Sequence, residues 1–265
     1  MDHERHVEMV EVLKCTHDGF VNTTIPVVKE IPLTIFLNDQ EIVTLLCIGE
    51  HLKSLAIGFL KSEGLIKERE TVASISLDEK SGLVRVQAEE DAELMEKWFI
   101  KKTIASSGAR GASFYDTLDT LTTQKNKSGI QISDSQVLSL MDQLTTQSQL
   151  FRLTRGTHNS ALGTVDNILF FRSDIGRHNT LDKIYGECFL KGILLEDKVL
   201  LTTGRISLEM LIKTSRMGIP ILISHSAATG LAISLANQVG ITLIGYVRGG
   251  SFIVYTSKER VIQTI

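Results

Sequence analysis

From residue 156 onward, short apolar runs alternate with longer segments of helical spacing. The runs at 167–171, 198–202, 219–224 and 241–247 predict strands, and the segments at 179–190, 207–217 and 228–238 predict helices between them. Strands separated by helices of about a dozen residues form βαβ units, so this half reads as α/β, a largely parallel sheet with helices on its faces. The first hundred residues read as α+β. Strands are expected at 20–30, 33–38 and 42–48, with Pro26 and Pro32 marking edge strands or strand starts. A helix over 51–62 places Leu52, Leu55, Ala56 and Phe59 on one face and stops at Gly64. Two short strands, 72–76 and 83–87, flank a turn at 78–82.

Between the halves, residues 103–113 are small and glycine-containing, as expected of a loop leaving a strand, and 124–129 reads as an exposed loop. Residues 133–151 carry Val137, Leu140, Met141 and Leu144 at helical spacing behind Ser133 and Asp134, which predicts an amphipathic helix. The expected organisation is an N-terminal α+β domain over 1–104 and a C-terminal α/β domain over 105–265.

Composition narrows the function. The chain has 265 residues, 43% of them hydrophobic, with a net charge of −3. A core can be buried, and general attraction to nucleic acid or a membrane surface is not expected. Any anion site must be built locally. Cys15, Cys47 and Cys188 are far apart and form no C-x-x-C pair, so neither a disulfide framework nor a metal knuckle is suggested, and no metal is assigned. The opening Met-Asp-His-Glu-Arg-His is not signal-like, and no apolar stretch approaches the roughly 18 residues of a membrane span, so a cytoplasmic protein is expected.

In an open α/β sheet, ligands bind beyond the carboxyl ends of the strands. Four such junctions are polar: Asp174-Ile175-Gly176-Arg177-His178-Asn179, Thr203-Gly204-Arg205-Ile206-Ser207, Ser224-His225-Ser226-Ala227-Ala228-Thr229, and Tyr246-Val247-Arg248-Gly249-Gly250-Ser251. Glycines allow close backbone approach, and Ser or Thr at a helix start presents a hydroxyl beside free N–H groups. The guanidinium groups of Arg177, Arg205 and Arg248 suit phosphate or carboxylate. One junction alone often means only a turn and a cap. Four in succession, three with arginine, point to a phosphate-binding edge, to which His158 in Arg155-Gly156-Thr157-His158 is added as a binding candidate. His158, His178 and His225 read equally as loop histidines satisfied by backbone. Asp182 and Lys183 read either as ligand contacts or as a solvated first turn, and Glu209 with Lys213 as a surface i,i+4 pair. No serine-hydrolase elbow, P-loop or dinucleotide fingerprint is present, and no residue is assigned a catalytic role. A nucleotide-binding hydrolase or deaminase-like enzyme, or a regulatory nucleotide sensor, stays open beside a binding protein. The lack of an H-x-E and P-C-x-x-C pair speaks against zinc deamination.

The segments Asp174-Ile175-Gly176-Arg177-His178-Asn179-Thr180-Leu181-Asp182-Lys183, Thr203-Gly204-Arg205-Ile206-Ser207-Leu208-Glu209-Met210, Ser224-His225-Ser226-Ala227 and Gly245-Tyr246-Val247-Arg248-Gly249, with the stretch 47–66 upstream, together resemble the formate dehydrogenase accessory (FdhD/NarQ) family in order and spacing. The resemblance implies a cytidine-deaminase-like C-terminal fold and an accessory role for a formate dehydrogenase apoenzyme. It implies bis-molybdopterin guanine dinucleotide as cargo, contacted by 246–251, sulfur received from a cysteine desulfurase, and a homodimer. The family's sulfur-carrying loop holds cysteines. Here the matching stretch is Ser106-Ser107-Gly108-Ala109-Arg110-Gly111, without one. A persulfide needs a thiolate, which serine and glycine cannot supply.

Overall fold

A computed structural model describes residues 3–89 and 125–264. The chain opens with a two-stranded antiparallel hairpin, β1 (Val7–Thr16) and β2 (Gly19–Val28), in which Pro26 faces Met9. β1 has no counterpart in the sequence reading, because its apolar residues are interrupted by Glu8, Glu11 and Lys14 and much of it stays exposed. A four-stranded sheet follows, β3 (Ile31–Leu37), β4 (Gln40–Cys47), β5 (Val72–Asp78) and β6 (Leu83–Ala88), in spatial order β4-β3-β6-β5. β3 is an interior strand. It tolerates Pro32 because its pairing with β6 begins only at Thr34. Helix α1 (Leu52–Glu63) lays Leu52, Leu55, Ala56 and Leu60 on this sheet and ends at Gly64 in the left-handed region. The expected turn at 78–82 joins β5 to β6, and the proposed domain boundary at 104/105 lies outside the described residues.

The short strand β7 (Ile132–Ser133) leads into helix α2 (Asp134–Gln147), opened by a capping box in which Ser133 and Gln136 satisfy each other's backbone N–H. The single helix expected over 133–151 is two helices. Buried Ser148 donates its hydroxyl to the Leu144 carbonyl at 2.7 Å, and α3 (Gln149–Thr154) starts anew. The main sheet has six strands: β8 (His158–Gly163), β9 (Ile168–Asp174), β10 (Val199–Thr202), β11 (Ile221–Ser224), β12 (Thr242–Arg248) and β13 (Ser251–Val254), in order β13-β12-β11-β10-β8-β9. Helices α4 (Arg177–Lys191), α5 (Leu208–Met217) and α6 (Gly230–Val239) alternate with its strands, and β14 (Val261–Ile262) returns beside β7.

The expectation of a largely parallel sheet needs correction. In the main sheet only the β10–β11 and β11–β12 pairings are parallel, whereas β8 is inserted antiparallel between β9 and β10, and β13 is antiparallel to β12. Period-two alternation splits the sheet's side chains. Leu162, Leu200, Leu222 and Leu243 pack under α4, α5 and α6, while Ala161, Leu201, Ile223 and Ile244 pack under α2. The architecture is α/β, with helices on both faces of the main sheet.

The two halves meet through α1 and α4, where glycines remove the side chains that would keep the backbones apart. A Cβ on Gly58 would lie 1.7 Å from the Asp182 carbonyl oxygen, and one on Gly186 would lie 1.9 Å from that of Ser54. Beside this contact Lys213 reaches Asp182 at 2.6 Å and Ser62 at 2.8 Å, so α5, α4 and α1 share one buried charge pair. The surface pairing expected between Glu209 and Lys213 does not form, and Asp182 and Lys183 are buried rather than solvated. We expect Gly186→Ala to destabilise the protein by about 3 kcal/mol or more, because two backbones must separate. Gly230→Ala, whose Cβ meets nothing within 4 Å, should change stability by no more than about 1 kcal/mol. Equal midpoints for the two variants in thermal unfolding would contradict this account.

Candidate functional site

The antiparallel insertion of β8 has a direct consequence. β9, β10, β11 and β12 all end at the same edge of the sheet where β8 begins, so His158 arrives beside the four junctions after those strands. Arg177, Arg205 and Arg248 thus share one sheet edge. They occupy different stretches of it, because β11 separates the end of β10 from that of β12.

On the α4/α5 face, Gly204 packs against Arg177. A Cβ there would meet the Arg177 Cδ at 3.2 Å and the His158 Nδ1 at 3.6 Å. Arg177 and His178 form the first turn of α4, and Ser207 is the N-cap of α5. Burial holds the His158 pKa below its ordinary value, with Arg177 and Arg205 adding to the effect. Burial lowers that of His178 further, to about 4. Arg177, Lys213 and His158 act in the same direction, and Glu209, whose Oε2 lies 3.3 Å from Nε2, opposes them. The Nε of Arg177, the Nε2 of His178 and the Oγ of Ser207 are buried and make no hydrogen bond. Buried polar atoms nearly always find partners, so these three atoms at two adjoining helix starts have capacity for a water or a polar ligand.

Other candidates from the sequence are engaged within the protein. Asp174 is fully buried, paired with Lys183 at 2.6 Å and accepting from Asn179 at 3.0 Å. Asn179 also donates to the Leu46 carbonyl at 2.8 Å, which ties the edge to β4. Gly176 is the N-cap of α4. Thr203 accepts from the Asn159 N–H at 3.0 Å, and buried Ser224 donates to the Gly204 carbonyl at 2.7 Å. The Ser226 carbonyl receives the Tyr246 N–H, and Thr229 caps α6.

On the opposite face, the β12–β13 hairpin and α2 enclose a pocket of about 330 Å³, lined by Leu138, Met141, Asp142, Thr145, His225, Val247, Arg248, Gly249 and Gly250. Gly249 and Gly250 both take positive φ, 58° and 76°, which carries the chain round the tip between β12 and β13. Tyr246 is also in the left-handed region at φ 54°, and the Arg248 guanidinium lies 5.4 Å from its ring centroid. The Ser251 hydroxyl donates to the Arg248 carbonyl at 3.2 Å, and Val247 is core with one side toward the pocket. The α2 wall of this pocket was invisible in the sequence, since Met141 read only as part of the apolar stripe of an amphipathic helix and Leu138, Asp142 and Thr145 lie outside that stripe. Thr157 and Asn159 were missed too. Each is buried with an unpartnered polar atom at the start of β8, a strand whose short polar opening gave no period-two signal.

These features define an α/β protein whose strand-end edge gathers arginines, histidines and helix N-termini. Comparison with known proteins gives the lineage: the model of the FdhD/NarQ family matches residues 28–262, and the chain belongs to that family. It is 44% identical over 234 residues to the sulfur carrier protein FdhD of Bacillus subtilis (strain 168), covering 88% of this chain and 89% of the relative. It is 42% identical over 244 residues to the protein of that name in Bacillus pumilus, covering 92% and 93%. A crystal structure described as a formate dehydrogenase accessory protein from Desulfotalea psychrophila superposes with a TM-score of 0.79 at 24% identity, covering 97% of this chain and 99% of that one, and so shares the fold.

Because the folded protein holds His178 neutral to about pH 4, the unfolded chain binds more protons between that value and the ordinary histidine value of 6.5. Stability should therefore fall as the pH is lowered through this window. We expect urea midpoints at about pH 7 and about pH 5 to differ less in His178→Gln than in the parent protein. An unchanged difference would show that His178 is not the titrating group.

Proposed function

We propose that this chain is an accessory protein for formate dehydrogenase that holds a phosphate-bearing cofactor, bis-molybdopterin guanine dinucleotide, at its strand-end edge for delivery to the apoenzyme. The observation that carries the reading is the pocket beside Arg248, Gly249 and Gly250. Its volume of about 330 Å³ is at the lower end of the range of small-molecule sites, roughly 300–1,000 Å³. It therefore suits one nucleotide end of such a cargo rather than the whole. The apolar side chains of Leu138, Met141 and Val247 offer a surface for a base, and the Arg248 guanidinium offers charge for phosphate. The description of the structural neighbour as a formate dehydrogenase accessory protein supports the partner, and the relatives' name, sulfur carrier protein, supports a part in sulfur delivery.

Sulfur transfer from a cysteine desulfurase needs an accessible thiolate. Cys47 and Cys188 are buried, and burial raises both thiols, that of Cys188 to about 12. Cys15, exposed on β1, is the thiol a sulfur donor can reach. The stretch 106–111 lies outside the described residues. In this reading the cargo-binding part of the role belongs to the strand-end edge and is independent of the cysteines.

Two outcomes are expected. Guanosine diphosphate should bind the full chain, and Arg248→Ala should weaken it by about 1.5–3 kcal/mol in calorimetry, the loss of a charge-assisted contact. Undiminished affinity in that variant would remove the pocket from the site. Brief alkylation of the native protein should label Cys15 alone, with Cys47 and Cys188 reacting only after unfolding, as read by peptide mass spectrometry.

A further inference from the structure

We propose that the cleft between the N-termini of α4 and α5 is a second anion site, whose internal counter-ion is the Glu209 carboxylate, and that a phosphate group, as free phosphate or a monoester, enters by displacing that carboxylate. The site differs from the hairpin pocket in position, since it opens on the α4/α5 face of the sheet and the pocket opens on the α2 face. It rests on the preceding reading only for the source of the phosphate.

Three observations combine. First, Arg177 Nε, His178 Nε2 and Ser207 Oγ are buried and without a hydrogen bond. Such groups cost free energy unless something completes them. Second, the helices that supply them run for 15 and 10 residues, and neither uses a side chain to cap its first N–H groups. Both helix starts therefore keep free donors and a positive partial charge. Third, the charges acting on His178 are Arg177, Lys213 and His158 on one side and Glu209 on the other.

Lys213 is already committed to Asp182, so Arg177 is the uncommitted cation acting on His178, and Glu209 is the acid set against the ring. The Glu209 side chain is 74% exposed, and its 3.3 Å approach to His178 Nε2 lacks hydrogen-bond geometry. A carboxylate held so loosely on a flexible stem moves aside at little cost. An oxyanion in its place accepts from Arg177, His178 and Ser207 together, which a single carboxylate at the mouth does not do.

The test uses the full chain with labelled histidines, titrated separately with inorganic phosphate, guanosine monophosphate and guanosine diphosphate. Phosphate should shift the ring resonances of His178 and His158 while leaving the amides of Gly249 and Gly250 unmoved. Glu209→Gln, a change at an exposed position, should tighten phosphate binding by about three- to tenfold, because a competing negative charge is gone. Arg177→Gln should weaken it by about tenfold or more, with thermal unfolding measured alongside to confirm folding. Tighter binding of the monoester than of free phosphate assigns the site to a ligand's phosphoryl end, and the reverse assigns it to the free ion. Unchanged or weaker phosphate binding in Glu209→Gln, or silent histidines, overturns the proposal. If diphosphate still binds through Arg248 in that case, the hairpin pocket stands. Histidine shifts with phosphate, but no response at the hairpin to guanosine diphosphate, would sink the earlier reading and leave this one.

Discussion

The contact between α1 and α4 holds the rest of the molecule in place. Gly58 and Gly186 let two helix backbones approach until a single methyl group would collide with a carbonyl oxygen. That approach brings Ser62 of α1 within 2.8 Å of Lys213, and so draws α5 into the same joint. α4 is then fixed along its length, and its first turn, which carries Arg177 and His178, is set against the edge of the main sheet. Removing one partner of a buried charge pair leaves the other uncompensated, typically at about 3–5 kcal/mol. The Lys213–Asp182 pair therefore makes the joint specific as well as close.

The strand-end edge owes its composition to β8. Were that strand parallel to β10, His158 would start at the far edge of the sheet. Antiparallel insertion puts it beside Gly204 and Arg177 instead. The sheet also divides the edge into two aspects. Helix starts, arginine and histidines lie on the α4/α5 face, and a glycine hairpin with an apolar wall lies on the α2 face. Electrostatics follows from this packing. Burial strips water from His158 and His178 while nearby positive charge disfavours another, so both pKa values are lowered and the His178 ring is held neutral down to about pH 4.

The same packing separates the cysteines by chemistry. Cys47 lies fully buried on β4, where desolvation outweighs the Gly49 N–H that favours its thiolate. Cys188 is carried by α4 on its buried side, in the sheet's core cluster. Both behave as small hydrophobes. Cys15, on a hairpin strand that buries little, keeps its thiol in water.

Local pattern alone determined the strands at β10, β11 and β12, the helices α4, α5 and α6 between and after the strands, and the polar turns that end each unit. These signals are short-range, since apolar spacing, glycine stops and serine or threonine caps act within a few residues. The FdhD/NarQ lineage was legible for the same reason, because its motifs sit in those turns. Only tertiary structure decided the direction of β8, the α2 wall of the pocket, the burial of Lys183 and Lys213, and the transfer of Glu209 from Lys213 to His178. Each depends on which elements pack together over long sequence separations. A helical i,i+4 pattern cannot show whether a lysine faces water or a carboxylate thirty residues away.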